Sequence, residues 1–161
     1  MTRSLGTTAL PFWPALLFTY LEPISLIIGA QAAITAPSTF VSSQLQSLGS
    51  ADPVSPAVDI LAYTLGSLFL LLAGYALTCT VLTRDPNVTK YYLVFAACGD
   101  VGHLAANYVG MGSSVFWAYR EWNEVMWGNI AVTMFLFLNR VATVNGVFGT
   151  PGWVIGEGKK L

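Results

Sequence analysis

Four stretches of the chain are apolar for long enough to cross a bilayer, and the polar residues between and within them set the plan of the molecule. The first runs over 9–34 (ALPFWPALLFTYLEPISLIIGAQAAI) and the second over 57–82, the most uniformly apolar of the four. The third covers 90–112 (KYYLVFAACGDVGHLAANYVGMG) and the fourth 121–144 (EWNEVMWGNIAVTMFLFLNRVATV). Residues 35–56 are Pro- and Ser-rich and carry no Lys or Arg, which predicts the longest loop, with a short interfacial piece near Phe40–Leu48. Thr83-Arg84-Asp85-Pro86-Asn87 predicts a tight turn, and 145–161 a flexible tail. Antiparallel neighbours joined by short connections favour an up-down-up-down bundle, a single all-α integral membrane domain.

Composition supports this plan: 55% of the 161 residues are hydrophobic and 9% charged, with mean hydropathy +0.63. A net charge of −1 offers no basic surface for nucleic acid. Arg3, Arg84, Lys90, Arg140, Lys159 and Lys160 fall on one side of the predicted membrane and Arg120 alone on the other, so the positive-inside bias places both termini in the cytosol. The sequon Asn87-Val88-Thr89 then stays unmodified. A secretory signal competes for the first stretch, since Ala30-Gln31-Ala32 resembles a cleavage site, but the run is long for one and Glu22-Pro23 interrupts its centre. Pro23 also predicts a disturbed helix beside Glu22, because it supplies no N–H to the Thr19 carbonyl. Cys79 and Cys98 read as buried thiols.

The third stretch carries the chemistry. At 100° per residue Asp100, His103 and Asn107 share one face with Ala96, Gly99, Ala106 and Gly110, while Val94, Ala97, Val101, Leu104 and Tyr108 lie opposite. An acid in hydrocarbon costs roughly 2.5–3.5 kcal/mol on insertion scales, so it has a task or a partner. Asp100 and Glu22 sit at similar depth, each roughly 15–20 Å along its helix at 1.5 Å per residue. Glu22, Asp100 and His103 are therefore the catalytic candidates, with Asn107, Tyr108, Glu124, Trp127 and Asn129 lining a binding cavity.

A carboxyl in low dielectric can protonate an alkene or epoxide and accept a proton back, and aromatics such as Phe18, Tyr20, Phe95, Tyr108 and Trp127 can stabilise the cation between the two steps. That chemistry needs no cofactor. The structural alternative is that Glu22 is a neutral acid hydrogen-bonded within the bundle or paired with His103, that Asp100 and His103 satisfy each other, and that the acids serve helix register. Glu121 and Glu124 read equally as interfacial charges with Arg120 as partner, Asp59 as a helix-start acid, and Trp117, Trp122 and Trp127 as membrane anchors. A metal site is disfavoured, since one His with a lone DxxH pair supplies too few ligands. A transporter would have to oligomerise, and a homo-oligomer stays open.

Four spans, intramembrane acids and an aromatic-rich fourth helix resemble the EXPERA class of emopamil-binding sterol isomerases and the sigma-2 receptor. The Leu21-Glu22-Pro23 core resembles small fungal membrane proteins, some of them associated with secondary metabolism. These resemblances imply an endoplasmic-reticulum bundle around a lipophilic pocket. Its acids would isomerise or cyclise an isoprenoid or sterol-like substrate, as in terpenoid biosynthesis, or would bind a lipid without turnover.

Overall fold

A computed structural model describes residues 8–45, 55–83 and 85–149, and among these the fold is helical throughout. Four long helices carry it: α1 Phe12–Thr35, α2 Pro56–Leu82, α3 Pro86–Met111 and α4 Glu124–Val144. Shorter helices at Pro37–Ser42 and Ser113–Phe116 and a 3-10 turn at Tyr119–Glu121 lie in the connections. α1, α2 and α4 are long and apolar enough to cross a membrane. α3 is long enough, but the acid, imidazole, amide and glycines of its polar face lower its hydropathy below theirs.

Local chemistry explains where the boundaries differ from expectation. α3 starts at Pro86 rather than Lys90 because Asp85 caps it, accepting the Asn87 N–H at 2.8 Å, with Pro86 in the first turn. It stops at Gly112, whose φ of 78° suits only glycine. α4 starts at Glu124 rather than Glu121 because the Asn123 side chain caps it, accepting the Met126 N–H at 2.9 Å. The piece expected near Phe40–Leu48 is a helix at Pro37–Ser42, and residues 46–48 lie outside the described residues. So do Arg3, Arg84, Lys159, Lys160 and residues 150–161 of the expected tail.

α1 packs along α2, and α3 packs along α4. The first pair is close because small residues line it: Ala30 and Ala33 on α1, and Ala62, Gly66, Ala73 and Ala76 on α2, are all buried. A Cβ on Gly66 would lie 2.7 Å from Ile34 Cγ1 and 3.2 Å from the Ala30 carbonyl, whereas one on Gly99 would meet nothing within 4 Å. Gly66→Val is accordingly expected to cost roughly 1–3 kcal/mol by forcing the pair apart. Gly99→Ala should stay within about 0.5 kcal/mol. Thermal unfolding of both variants in detergent checks the contrast, and equal midpoints would contradict the packing.

The two pairs meet mainly at one end, where Leu10, Ala15, Leu17, Phe18 and Leu93 form the buried core, backed by Tyr92, Leu136 and Val144. There the π-helical turn Thr78–Leu82 leaves carbonyls that need outside donors. The Thr80 carbonyl accepts the Thr8 hydroxyl at 2.8 Å and the Ala9 N–H at 3.1 Å, and the Cys79 carbonyl accepts the Thr89 hydroxyl at 2.7 Å. These bonds tie the approach to α1 and the start of α3 onto α2. A second π-helical turn, Leu16–Leu21, is closed by the Glu22 N–H on the Leu17 carbonyl and stands immediately before Pro23, where the disturbance was expected.

Candidate functional site: a buried Glu-Arg-Asp cluster

Arg140 is the centre of the site. It belongs to the last two turns of α4, yet only 1% of its surface is exposed, because the side chain turns into the bundle. Its Nη2 donates to Glu22 Oε1 of α1 and its Nη1 to Asp100 Oδ2 of α3. Phe18 lies under the guanidinium, with its ring centroid 5.1 Å from Cζ, and Tyr92 packs against the core that contains Phe18. One cation thus joins three of the four long helices at the point where the two pairs meet. The side chains of Glu22 and Asp100 keep 11% and 13% of their surface exposed, more than that of Arg140. Arg140 Nε and Glu22 Oε2 are buried without a hydrogen-bond partner.

This arrangement corrects one expectation and completes another. Arg140 is not an interfacial charge on the cytosolic side, so it drops out of the charge count, which leaves Lys90 and Arg120, both exposed, as the described cations at opposite ends. Glu22 and Asp100 do converge, but through Arg140 rather than directly or through His103. The signal for this was in the chain: two acids within apolar helices require a cation, and Arg140 is the one Lys or Arg far enough inside a span to reach them.

Above the cluster the pairs separate. Beyond Glu22, α1 makes few close approaches to α3 or α4. One turn past Asp100 on the same face His103 is exposed, and a Cβ on Gly99 or Gly110 would touch nothing within 4 Å. The pairs rejoin at the far end, where Asn123 Nδ2 donates to the Ser43 carbonyl at 3.0 Å and Asn129 Nδ2 to Gln44 Oε1 at 2.6 Å. Between the cluster and the Ser43–Gln44 contact the face of α3 that carries His103 is therefore exposed.

The remaining expected site residues divide. Asn129 serves the far contact between the pairs, where it donates to Gln44 Oε1. Asn107 donates one of its two amide N–H groups to the His103 main-chain carbonyl at 2.8 Å, within α3. Glu124 is exposed in the first turn of α4, where an acid complements the helix dipole. Trp127 is 46% exposed and meets Trp122 edge-on at 5.1 Å, and Tyr108 meets Phe116 at 5.3 Å. Both belong to an aromatic ladder at the far end rather than to the wall around the acids. Tyr108 also lines an open apolar groove of about 540 Å³ between α3 and α4, with Val101, Leu104, Phe137 and Leu138. Of the other aromatics proposed to face a cation, Phe18 touches Arg140, while Phe95 is 73% exposed. Among the described residues no group of three or more His, Cys, Asp or Glu is placed to hold a metal.

Fold and site together define a helical bundle compatible with a membrane, joined at one end by a buried ion cluster. The chain belongs to the family described as a domain of unknown function, DUF7704, whose model matches residues 7–150 and so takes in all four helices and every member of the cluster. No curated protein and no solved structure matches it.

Proposed function

We propose that the protein is an intramembrane acid-base isomerase or cyclase, with Glu22 and Asp100 as the proton-transferring pair. The observation that carries this reading is their convergence on one guanidinium. With one cation for two carboxyls, the cluster is electrically neutral when the pair retains a single proton. One carboxyl is then an acid and the other a base, which is what moving a double bond requires. The acid adds its proton to one alkene carbon, the cation loses a proton from a neighbouring carbon to the base, and atoms and charge balance without a cofactor.

A lipophilic isoprenoid or sterol-like substrate would enter between the helix pairs from the bilayer. Four membrane spans with cytosolic termini, and the endoplasmic reticulum as location, belong to the same reading. So does the analogy with the emopamil-binding class and with terpenoid or other secondary metabolism. The test is solvent exchange: purified protein incubated in D2O with lipophilic alkenes should place deuterium at an allylic or vinylic carbon of the rearranged product. Rearranged product without deuterium, or no reaction across isoprenoid and sterol alkenes, would end the reading.

The engagement of both acids by Arg140 favours a second function of another class, a lipid-binding or assembly protein in which the cluster only fixes helix register. Such a protein would retain lipid on purification and exchange no deuterium.

A further inference from the structure

The side of α3 turned away from Asp100 and His103 borders a groove that the proton chemistry does not use. Val101, Leu104 and Tyr108 of α3, Met134 and Leu138 of α4, and Phe116 of the connection line this open channel of about 540 Å³. Tyr108 is the one lining residue with a polar side-chain atom, so the groove suits hydrocarbon and asks for almost no hydrogen bonds. From Val101 to Met111 at the end of α3 is roughly 15 Å at 1.5 Å per residue, half of a hydrocarbon core about 30 Å thick. The groove therefore has the length of one lipid leaflet.

Its outer end carries charge. Phe116 is buried there, and its ring meets Tyr108, Trp117 and Trp122 edge-on with centroids 5.3, 5.1 and 6.5 Å away. Trp122 Nε1 donates back to the Val115 carbonyl at 3.2 Å, which folds the connection onto Phe116. Arg120 and Glu121 are both exposed in the 3-10 turn Tyr119–Glu121 of this loop. The Arg120 guanidinium lies over the Tyr119 ring, 5.9 Å from its centroid, and has no carboxylate partner among the described residues. Trp117 beside it is also exposed. An anion is matched here by Arg120, and a quaternary ammonium by Glu121 and an indole face.

We propose that the groove binds a phospholipid of the phosphatidylcholine type, with one acyl chain between α3 and α4, the phosphate on Arg120 and the choline against Glu121 and Trp117. An anionic headgroup fits less well, because Glu121 and the exposed Glu124 set two acids against one cation at this end. A sterol or a free isoprenoid leaves Arg120 unmatched. The inference rests on the reading that α3 and α4 cross the bilayer, and it does not depend on proton transfer by Glu22 and Asp100.

Native mass spectrometry tests it, with the full chain released from micelles that contain equal amounts of phosphatidylcholine and phosphatidylglycerol bearing the same chains. The protein should retain one phosphatidylcholine, at least roughly fivefold over phosphatidylglycerol. Leu104→Trp fills the groove and should cut retention at least roughly tenfold, whereas Leu61→Trp on the exposed face of α2 should leave it unchanged. Glu121→Lys turns the rim basic without touching the core, and should erase the preference for choline even if Leu104→Trp does not fold. No retained phospholipid, equal retention of the two headgroups, wild-type retention by Leu104→Trp or an unaltered preference in Glu121→Lys would each overturn the inference. If the protein resists extraction by alkaline carbonate, any of these results removes this inference and leaves the membrane-spanning reading in place. Extraction by carbonate without detergent would remove both.

Discussion

Arg140→Ala is expected to lose more stability than any other single substitution in this protein, roughly 3–5 kcal/mol. The guanidinium is 1% exposed and binds one carboxyl on α1 and another on α3. Its removal leaves two acids facing each other in an apolar interior at the point where the helix pairs join. Arg140→Lys should recover part of the loss, because an ammonium keeps the charge but lacks the planar fork that reaches two acids at once. Combining Arg140→Met with Glu22→Leu and Asp100→Leu should recover most of it, since a buried ionic triad replaced by apolar residues of similar volume is often neutral or stabilising. Thermal unfolding in detergent, followed by circular dichroism, reads the series. A wild-type midpoint for Arg140→Ala would mean that the cluster does not hold the helices together.

Glu22→Gln and Asp100→Asn should separate stability from chemistry. Each removes one acid and leaves the guanidinium with the other, so a neutral pair remains buried and the stability loss falls well below that of Arg140→Ala. Turnover should nevertheless drop by roughly 10²–10⁴, the usual share of a positioned acid or base. The two variants should also differ in which half-reaction survives. The one lacking the proton donor should not form the cation at all, while the one lacking the base should accumulate products in which water or a neighbouring group has captured it. Product analysis beside the melting curve checks both statements. If either variant converts substrate at the wild-type rate, that residue is not part of the proton-transfer pair. Failure of both to fold while Arg140→Ala folds would contradict the charge argument as a whole.

Much of this was legible along the chain. Hydrophobic runs located all four helices to within a few residues. The misses at Pro86 and Glu124 have one cause: side-chain caps, Asp85 and Asn123, decide where a helix begins, and hydropathy does not register them. The 100° face of α3 correctly set Asp100 and His103 apart from Val101, Leu104 and Tyr108, which line the apolar groove on the other side. Arg140 was misread because its distance from the end of an apolar run is the same for a side chain that reaches out to lipid headgroups and one that turns inward. Tyr92 and Gln44 could not be singled out, since their roles come from residues on other helices.

By itself the sequence determined the helices, the depth of the two acids and the polar face of α3, because each depends on spacing along one segment. Only the tertiary structure decided that Glu22 and Asp100 share Arg140, and that the pairs part above it to expose His103. It also decided that Asn129 donates to Gln44, whose own amide donates to the Phe40 carbonyl. These are contacts between residues 40 to 118 positions apart for the cluster and 85 apart for Gln44 and Asn129. They are set by how the helices rotate and cross when packed, which the periodicity of any one helix does not encode.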